Sequence, residues 1–123
     1  MAITKLGDPD AQVDRNLEVF TVPAGLTRVR LDCQEFTCRC PITGQPDWAT
    51  IEVEYAPERL CVETKSMKLY LETFRDEGVF HEVLAGVIAD DVEAATQARH
   101  VRVTVHFRVR GGIALDATAE RPL

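Results

Sequence analysis

A two-layer α+β domain is the fold class this sequence predicts, with four antiparallel strands and two helices packed on the apolar face of the sheet. Three observations predict it. Apolar and polar residues alternate toward both ends of the chain, as half-buried strands require. The middle of the chain switches to helical spacing. The length of 123 residues, 46% hydrophobic and 28% charged, suits one domain with its own core.

Residues 1–20 mix charge with Gly7 and Asp8-Pro9 and show no periodicity, so they are expected to form a partly flexible arm ahead of a single domain over 21–123. The first strand spans Arg28 to Gln34, with apolar residues at odd positions. A second spans Thr50 to Tyr55, with Ile51, Val53 and Tyr55 inward and Glu52 and Glu54 outward. The intervening stretch, Thr37 to Asp47, is too rich in Pro, Gly and Cys to continue either strand. From Lys65 to Asp76 the apolar residues Met67, Tyr70, Leu71 and Phe74 mark one face of a helix, with Gly78 as its stop. A second helix starts near Val79 or Phe80, carries Val83, Leu84, Val87, Ile88 and Val92, and ends near Thr96. Val101, Val103, Val105, Phe107 and Val109 then form the apolar side of a third strand. Gly111-Gly112 turns the chain into a fourth, with Ile113, Leu115 and Ala117.

The order is therefore strand-strand-helix-helix-strand-strand. The outer sheet face carries Arg28, Arg30, Glu52, Glu54, Arg102 and Arg108, both signs of charge suited to cross-strand pairing. Two readings of that face stand side by side. It is a solvated surface, or it is the polar interior of a barrel made when several copies join edge to edge.

Net charge of −6 argues against a binder of duplex DNA or anionic membranes, since both need a basic surface. No apolar run approaches the ~20 residues of a membrane span, and the N-terminus lacks the apolar core of a signal peptide. A cytoplasmic protein with reduced thiols is expected. Cys33, Cys38, Cys40 and Cys61 are then core residues, nucleophiles or metal ligands.

The chemistry-bearing stretch is Cys38-Arg39-Cys40-Pro41-Ile42-Thr43-Gly44-Gln45-Pro46-Asp47-Trp48. A turn at Thr43-Gly44-Gln45-Pro46 can bring Asp47 back toward Cys40, where it would exchange a proton with a thiol adduct. A buried loop cysteine followed by a turn aspartate is the alternative. Cys33, Cys38 and Cys40 with His81 or His106 form a candidate zinc set, although Cys-x-Cys is not the usual ligand spacing. Cys61, between Leu60 and Val62, reads as core. Lys65 and Lys68, three apart at a helix start, suit an anion. Arg75 suits the C-terminus of that helix. His81 and Glu82 open the next helix and share a pocket only at its end. Neither G-x-G-x-x-G nor a P-loop pattern occurs, so a nucleotide must be held by lysines and arginines on other scaffolding.

Together these segments resemble the single-module NADPH-dependent nitrile reductases that convert 7-cyano-7-deazaguanine to 7-aminomethyl-7-deazaguanine. Cys40-Pro41-Ile42-Thr43-Gly44-Gln45-Pro46-Asp47-Trp48 is similar to the family's Cys-Pro-Val-Thr-Gly-Gln-Pro-Asp-aromatic loop. Glu63-Thr64-Lys65-Ser66-Met67-Lys68-Leu69-Tyr70 is similar to its Glu-Ser-Lys-Ser-Phe-Lys-Leu-Tyr segment. Phe74-Arg75, Phe80-His81-Glu82 and Arg110-Gly111-Gly112-Ile113 match three shorter motifs, and the likeness covers about residues 30 to 113. After Ile113 the family's Asp-Ile-Asn-Pro is replaced by Ala114-Leu115-Asp116-Ala117.

The resemblance implies a T-fold (tunnelling fold) whose copies form stacked ring-like barrels with active sites at subunit interfaces. It implies that Cys40 adds to the nitrile as a covalent thioimide, that Asp47 donates the proton to nitrogen, and that His81 assists transfer and positioning. It assigns Glu82, His81, Glu63 and Ser66 to the substrate, and Lys65, Lys68 and Arg110 to the phosphates of NADPH, including the 2′-phosphate. No metal is implied, and the pathway is queuosine tRNA-modification biosynthesis. A zinc-dependent pterin-type cyclohydrolase of the same fold, or a non-catalytic purine-binding module, is the alternative.

Overall fold

The computed structural model describes residues 2–123. Its elements are β1 (Val19–Thr21), β2 (Val29–Arg39), β3 (Pro46–Ala56), β4 (Leu60–Val62), α1 (Thr64–Glu72), α2 (His81–Thr96), β5 (His100–Arg110) and β6 (Ile113–Arg121). Strands β2-β3-β5-β6 lie in that order in one antiparallel sheet, and β1 pairs with β4 in a separate two-stranded ladder.

The alternation that predicts the strands also fixes the core. Ile51 and Val53 of β3 and Val101, Val103 and Val105 of β5 are fully buried, and they meet Leu84, Ile88 and Val92 of α2 and Met67 and Tyr70 of α1. Each such aliphatic side chain contributes roughly 1.5–3 kcal/mol on burial. Glu52, Glu54, Arg102 and their neighbours face the other way, where Arg30 bonds Glu52 at 2.8 Å and Arg102 bonds Glu54 at 2.5 Å. His106 on the same face bonds Asp116 at 2.9 Å.

Four expectations need correction. The stretch from Thr37 to Asp47 is mostly strand, because β2 runs on to Arg39 and β3 begins at Pro46. A register shift between Cys33 and Phe36 explains the misreading. Val29, Leu31 and Cys33 face inward at odd positions, whereas beyond the bulge Phe36 and Cys38 are buried at even ones. The period persists while its parity flips. Val109 is exposed for a similar reason, a register shift between Phe107 and Arg110. Val83 is exposed on the first turn of α2, outside the stripe formed by Leu84, Ile88 and Val92. Helix α1 stops at Glu72, followed by turns.

The β1–β4 ladder carries no period long enough to read from sequence. It belongs to a segment that packs on α1. Lys5, Leu17 and Glu18 are buried. The Glu18 carboxylate accepts from the backbone N–H groups of Thr4 and Lys5, both at 2.9 Å, while its own N–H donates to Ser66 Oγ at 3.0 Å. Arg15 donates to Thr73 Oγ1 and lies 3.9 Å over the Phe74 ring. Met1, part of the expected arm, lies outside the described residues. Among the described residues no helix is long and apolar enough to cross a membrane.

Candidate active site

Six residues, Cys40 to Gln45, join β2 to β3. The Cys40 N–H donates to Gln45 O at 2.8 Å and the Gly44 N–H to Cys40 O at 2.9 Å. Gly44 has φ +74°, the left-handed conformation that closes such a turn at no steric cost. This tight loop turns its donors on the Cys40 thiol. The Thr43 hydroxyl, then the backbone N–H groups of Thr43 and Ile42, hold its pKa down at about 7, with Arg110 adding a smaller pull against partial desolvation. Cys33 and Cys38, by contrast, are each pushed up to about 11 by burial. One thiol of the loop region is held toward its thiolate and its neighbours are held toward the neutral thiol.

Asp47 is the second residue of β3 and is 2% exposed. Its Oδ2 lies 3.0 Å from His81 Nε2, and its Oδ1 is ion-paired with the Arg110 guanidinium. His81 is the first residue of α2, and its ring stacks on Phe107 of β5 with centroids 3.4 Å apart and planes 4° apart. Burial lowers the His81 pKa, outweighing the opposing pull of Glu82. The imidazole therefore stays neutral near pH 7. Glu82, next on the helix, is exposed.

Gly78 brings these parts together. The Arg39 N–H donates to Glu77 O at 2.8 Å, and the Val79 N–H to Arg39 O at 3.2 Å, so the segment before α2 is stitched to the end of β2. A Cβ at Gly78 would meet Pro41 Cα at 2.9 Å. Gly78 is thus a point of close approach beside Cys40, not only a helix stop. Thr43, Phe107 and this role of Gly78 were missed from sequence. A hydroxyl in a tight turn after a cysteine was the signal available for Thr43; nothing in the sequence marks the stacking of Phe107.

The second motif resolves differently. Glu63 is the N-cap of α1, and its carboxylate accepts from Lys65 N at 2.7 Å and Ser66 N at 3.0 Å. Ser66 is fully buried, accepts from Glu18 N and donates to Glu63 O at 2.8 Å. Within this chain both side chains bond at the helix start, Glu63 as its cap and Ser66 between Glu18 and Glu63. Lys65 Nζ donates to Asp8 O at 2.6 Å, whereas Lys68 is exposed and lines a cleft of about 780 Å³ between β2 and α1. Arg110 does not join the lysines. Its partners are Asp47, Gln45 Oε1 at 3.0 Å and Pro46 O at 3.4 Å, because the β5 end lies beside the β3 start.

The zinc set does not assemble. Among the described residues no three or more His, Cys, Asp and Glu side chains are placed to hold one metal ion. His106 is on the polar sheet face and Cys38 in the core.

Fold and site define a T-fold type α+β protein with an activated thiol beside a buried carboxylate–histidine pair. A family model described as QueF-like protein matches residues 46–122. The chain is 59% identical over 119 residues to the NADPH-dependent 7-cyano-7-deazaguanine reductase of Frankia casuarinae, covering 97% of this chain and 95% of that one. It is 55% identical over 92 residues to the enzyme of the same name from Halorhodospira halophila, covering 75% and 78%. A crystal structure of the archaeosine synthase QueF-Like in the apo form superposes with TM-score 0.73 at 28% identity, covering 78% of this chain and 94% of that one. This chain belongs to the QueF-like family.

Proposed function

We propose that the protein is an NADPH-dependent reductase of 7-cyano-7-deazaguanine, forming the aminomethyl product within queuosine biosynthesis in the cytoplasm. The likeness to reductases of that name along nearly the whole chain carries this reading. The site supplies the chemistry.

A nitrile carbon is a poor hydride acceptor, and addition of a thiol converts it into a better one. With its pKa near 7, Cys40 is substantially thiolate at neutral pH. The thiolate sulfur bonds to the nitrile carbon while one C–N π bond breaks, and nitrogen takes up the proton that the thiol gave to the Asp47 carboxylate on ionising, giving a thioimide. Asp47 is the group that passes that proton. His81 Nε2 and the Arg110 guanidinium hold its two oxygens and replace each other's support as the proton moves. Glu82, exposed at the start of α2, offers two acceptor oxygens to the N–H and NH₂ edge of a guanine-like base.

NADPH, when bound, supplies hydride, and two equivalents take a nitrile to an amine. The donor set fits its phosphates: Lys68 and Arg75 line the open cleft beside β2. The zinc-dependent and non-catalytic alternatives lose ground to this reading, since the relatives are named as NADPH-dependent reductases.

Supporting an oligomer, β2 and β6 are the two edge strands of the sheet, 11 and 9 residues long, with β2 bonded on its outer side at Arg39 to the segment before α2, and edges of that length call for covering. Copies joined β2 to β6 form a ring whose lumen is the charged face.

The direct test is loss of the reduced-nicotinamide absorbance with 7-cyano-7-deazaguanine. Two NADPH consumed per nitrile supports the reading; no consumption at high protein concentration refutes it.

A further inference from the structure

An imidazole on the first residue of a helix has two side-chain torsions to settle, and a hydrogen bond at Nε2 fixes only one point of its ring. In His81 the second restraint comes from β5. The Phe107 ring lies parallel to the imidazole, with centroids 3.4 Å apart and planes 4° apart. Rotation about the Cβ–Cγ bond of His81 would tilt the ring off that face. The stack therefore keeps the imidazole in the plane that aims Nε2 at Asp47 Oδ2, 3.0 Å away.

Two rings left to themselves settle offset or edge-on, with centroids about 4.5–7 Å apart. A centred parallel stack is imposed by the surroundings, and here the surroundings brace Phe107 from behind. Phe36 of β2 meets it edge to face at 6.5 Å and 89°. Phe36 packs in turn on Phe74 at 6.1 Å, and Phe74 on Tyr70 of α1 at 5.4 Å. All four rings are buried. The bulge in β2 is what turns Phe36 inward. The register shift between Phe107 and Arg110 lets one strand end serve both partners of the pair, Phe107 under His81 and Arg110 on Asp47 Oδ1.

The phenyl face also excludes water from one side of the imidazole. Burial is the cause that lowers the His81 pKa, and Phe107 supplies part of that burial. The charged groups about the ring are Asp47 of β3, Glu82 beside it on α2, and Arg110 of β5, which reaches it through Asp47.

We propose that Phe107 is a positioning residue for the reaction: its ring face holds the His81 imidazole in the plane from which Nε2 serves Asp47, and keeps that ring dry. This rests on the reductase reading and deepens it, by adding to the site a residue whose side chain has no polar atom.

Phe107→Leu keeps apolar bulk but removes the flat face, whereas Phe107→Tyr keeps the face. Val103→Ala, four residues back on the same buried side of β5, is the control for lost packing. Phe107→Leu is expected to lower kcat by about tenfold or more, since a small misplacement of a reacting group is costly, with the KM for NADPH retained. Phe107→Tyr restores most of the loss. Val103→Ala keeps kcat even where its melting temperature falls as far as that of Phe107→Leu. In Phe107→Leu the acid limb of the kcat profile moves upward, toward the ordinary imidazole range, because water reaches the ring. Diethyl pyrocarbonate, which acylates neutral imidazole, gives a readout without turnover. Mass mapping of the His81 peptide should show faster modification in Phe107→Leu and the natural rate in Val103→Ala. Equal loss of kcat in Phe107→Leu and Val103→Ala at equal melting temperature overturns the assignment. So does an acid limb and a His81 modification rate that Phe107→Leu leaves unmoved. If the natural protein still reduces the nitrile in either case, the reductase reading stands. A natural protein that reduces no nitrile, while Phe107→Leu alone opens His81 to the reagent, sinks the reductase reading and leaves the stack.

Discussion

Three carboxylates among the described residues are buried, and they are held in two different ways. Glu63 caps the start of α1 and Glu18 precedes β1; they are 5% and 6% exposed, and each carboxylate accepts from two backbone N–H groups, those of Lys65 and Ser66 and those of Thr4 and Lys5. Those donors belong to the backbone. Asp47 is buried more deeply, at 2%, yet its oxygens meet only the side chains of His81 and Arg110. Side chains can move, exchange protons and yield to a substrate more readily than backbone amides can. A carboxylate held by the backbone builds structure; one held by a histidine and an arginine is ready for chemistry.

The sharpest way to break this contrast is Asp47→Asn. It is expected to lower kcat by about 10²–10⁴-fold, the usual worth of a positioned proton donor, with the melting temperature little changed. Normal turnover would place the proton transfer elsewhere. Gly78→Ala comes next. The new methyl must displace Pro41, and overpacking of this kind costs about 1–3 kcal/mol. Because Pro41 follows Cys40, activity should fall together with stability, and a variant that matched the natural protein in both would disprove the close approach.

Glu63→Gln tests the structural carboxylate. An amide NH₂, a donor, replaces one of its two acceptor oxygens, so a loss of about 0.5–2 kcal/mol is expected, within the range for helix caps. Denaturant unfolding measures it. If its kcat fell as far as that of Asp47→Asn, the division between the two kinds of carboxylate would fail.

The smallest expected effect is a pH shift. Donors to the Cys40 sulfur favour the thiolate, so alkylation by iodoacetamide should rise with pH through a midpoint near 7. Removing the Thr43 hydroxyl in Thr43→Val withdraws the largest of these contributions. The midpoint then moves upward, toward the ordinary thiol range, and a midpoint unchanged or lowered would refute the assigned cause.

The contrast between the carboxylates also shows what the sequence could and could not convey. Strand alternation in Ile51, Val53 and Tyr55 and in Val101, Val103 and Val105 is a local property, and it located the sheet and its buried face. The β2 bulge was hidden because one inserted residue reverses parity, so Phe36 and Cys38 looked like loop. The β1–β4 ladder is three residues long on each side and shows no period. For the site, Cys40 and Asp47 were marked by their motif, but the sequence offered no reason to place Arg110 with Asp47 and away from Lys68. That pairing depends on β5 ending beside the start of β3, a long-range fact. Ser66 shows the same limit: its motif marks it, but its bond from the Glu18 N–H, 48 residues earlier, has no local signal.

The central claim is that Cys40 is the nucleophile and that the loop around it exists to make it one. Intact-mass measurement of the protein incubated with 7-cyano-7-deazaguanine, without NADPH, tests this most directly. The mass should increase by that of one nitrile per chain in the natural protein and remain unchanged in Cys40→Ala. A natural protein that forms no adduct, or an adduct that persists in Cys40→Ala, would contradict it.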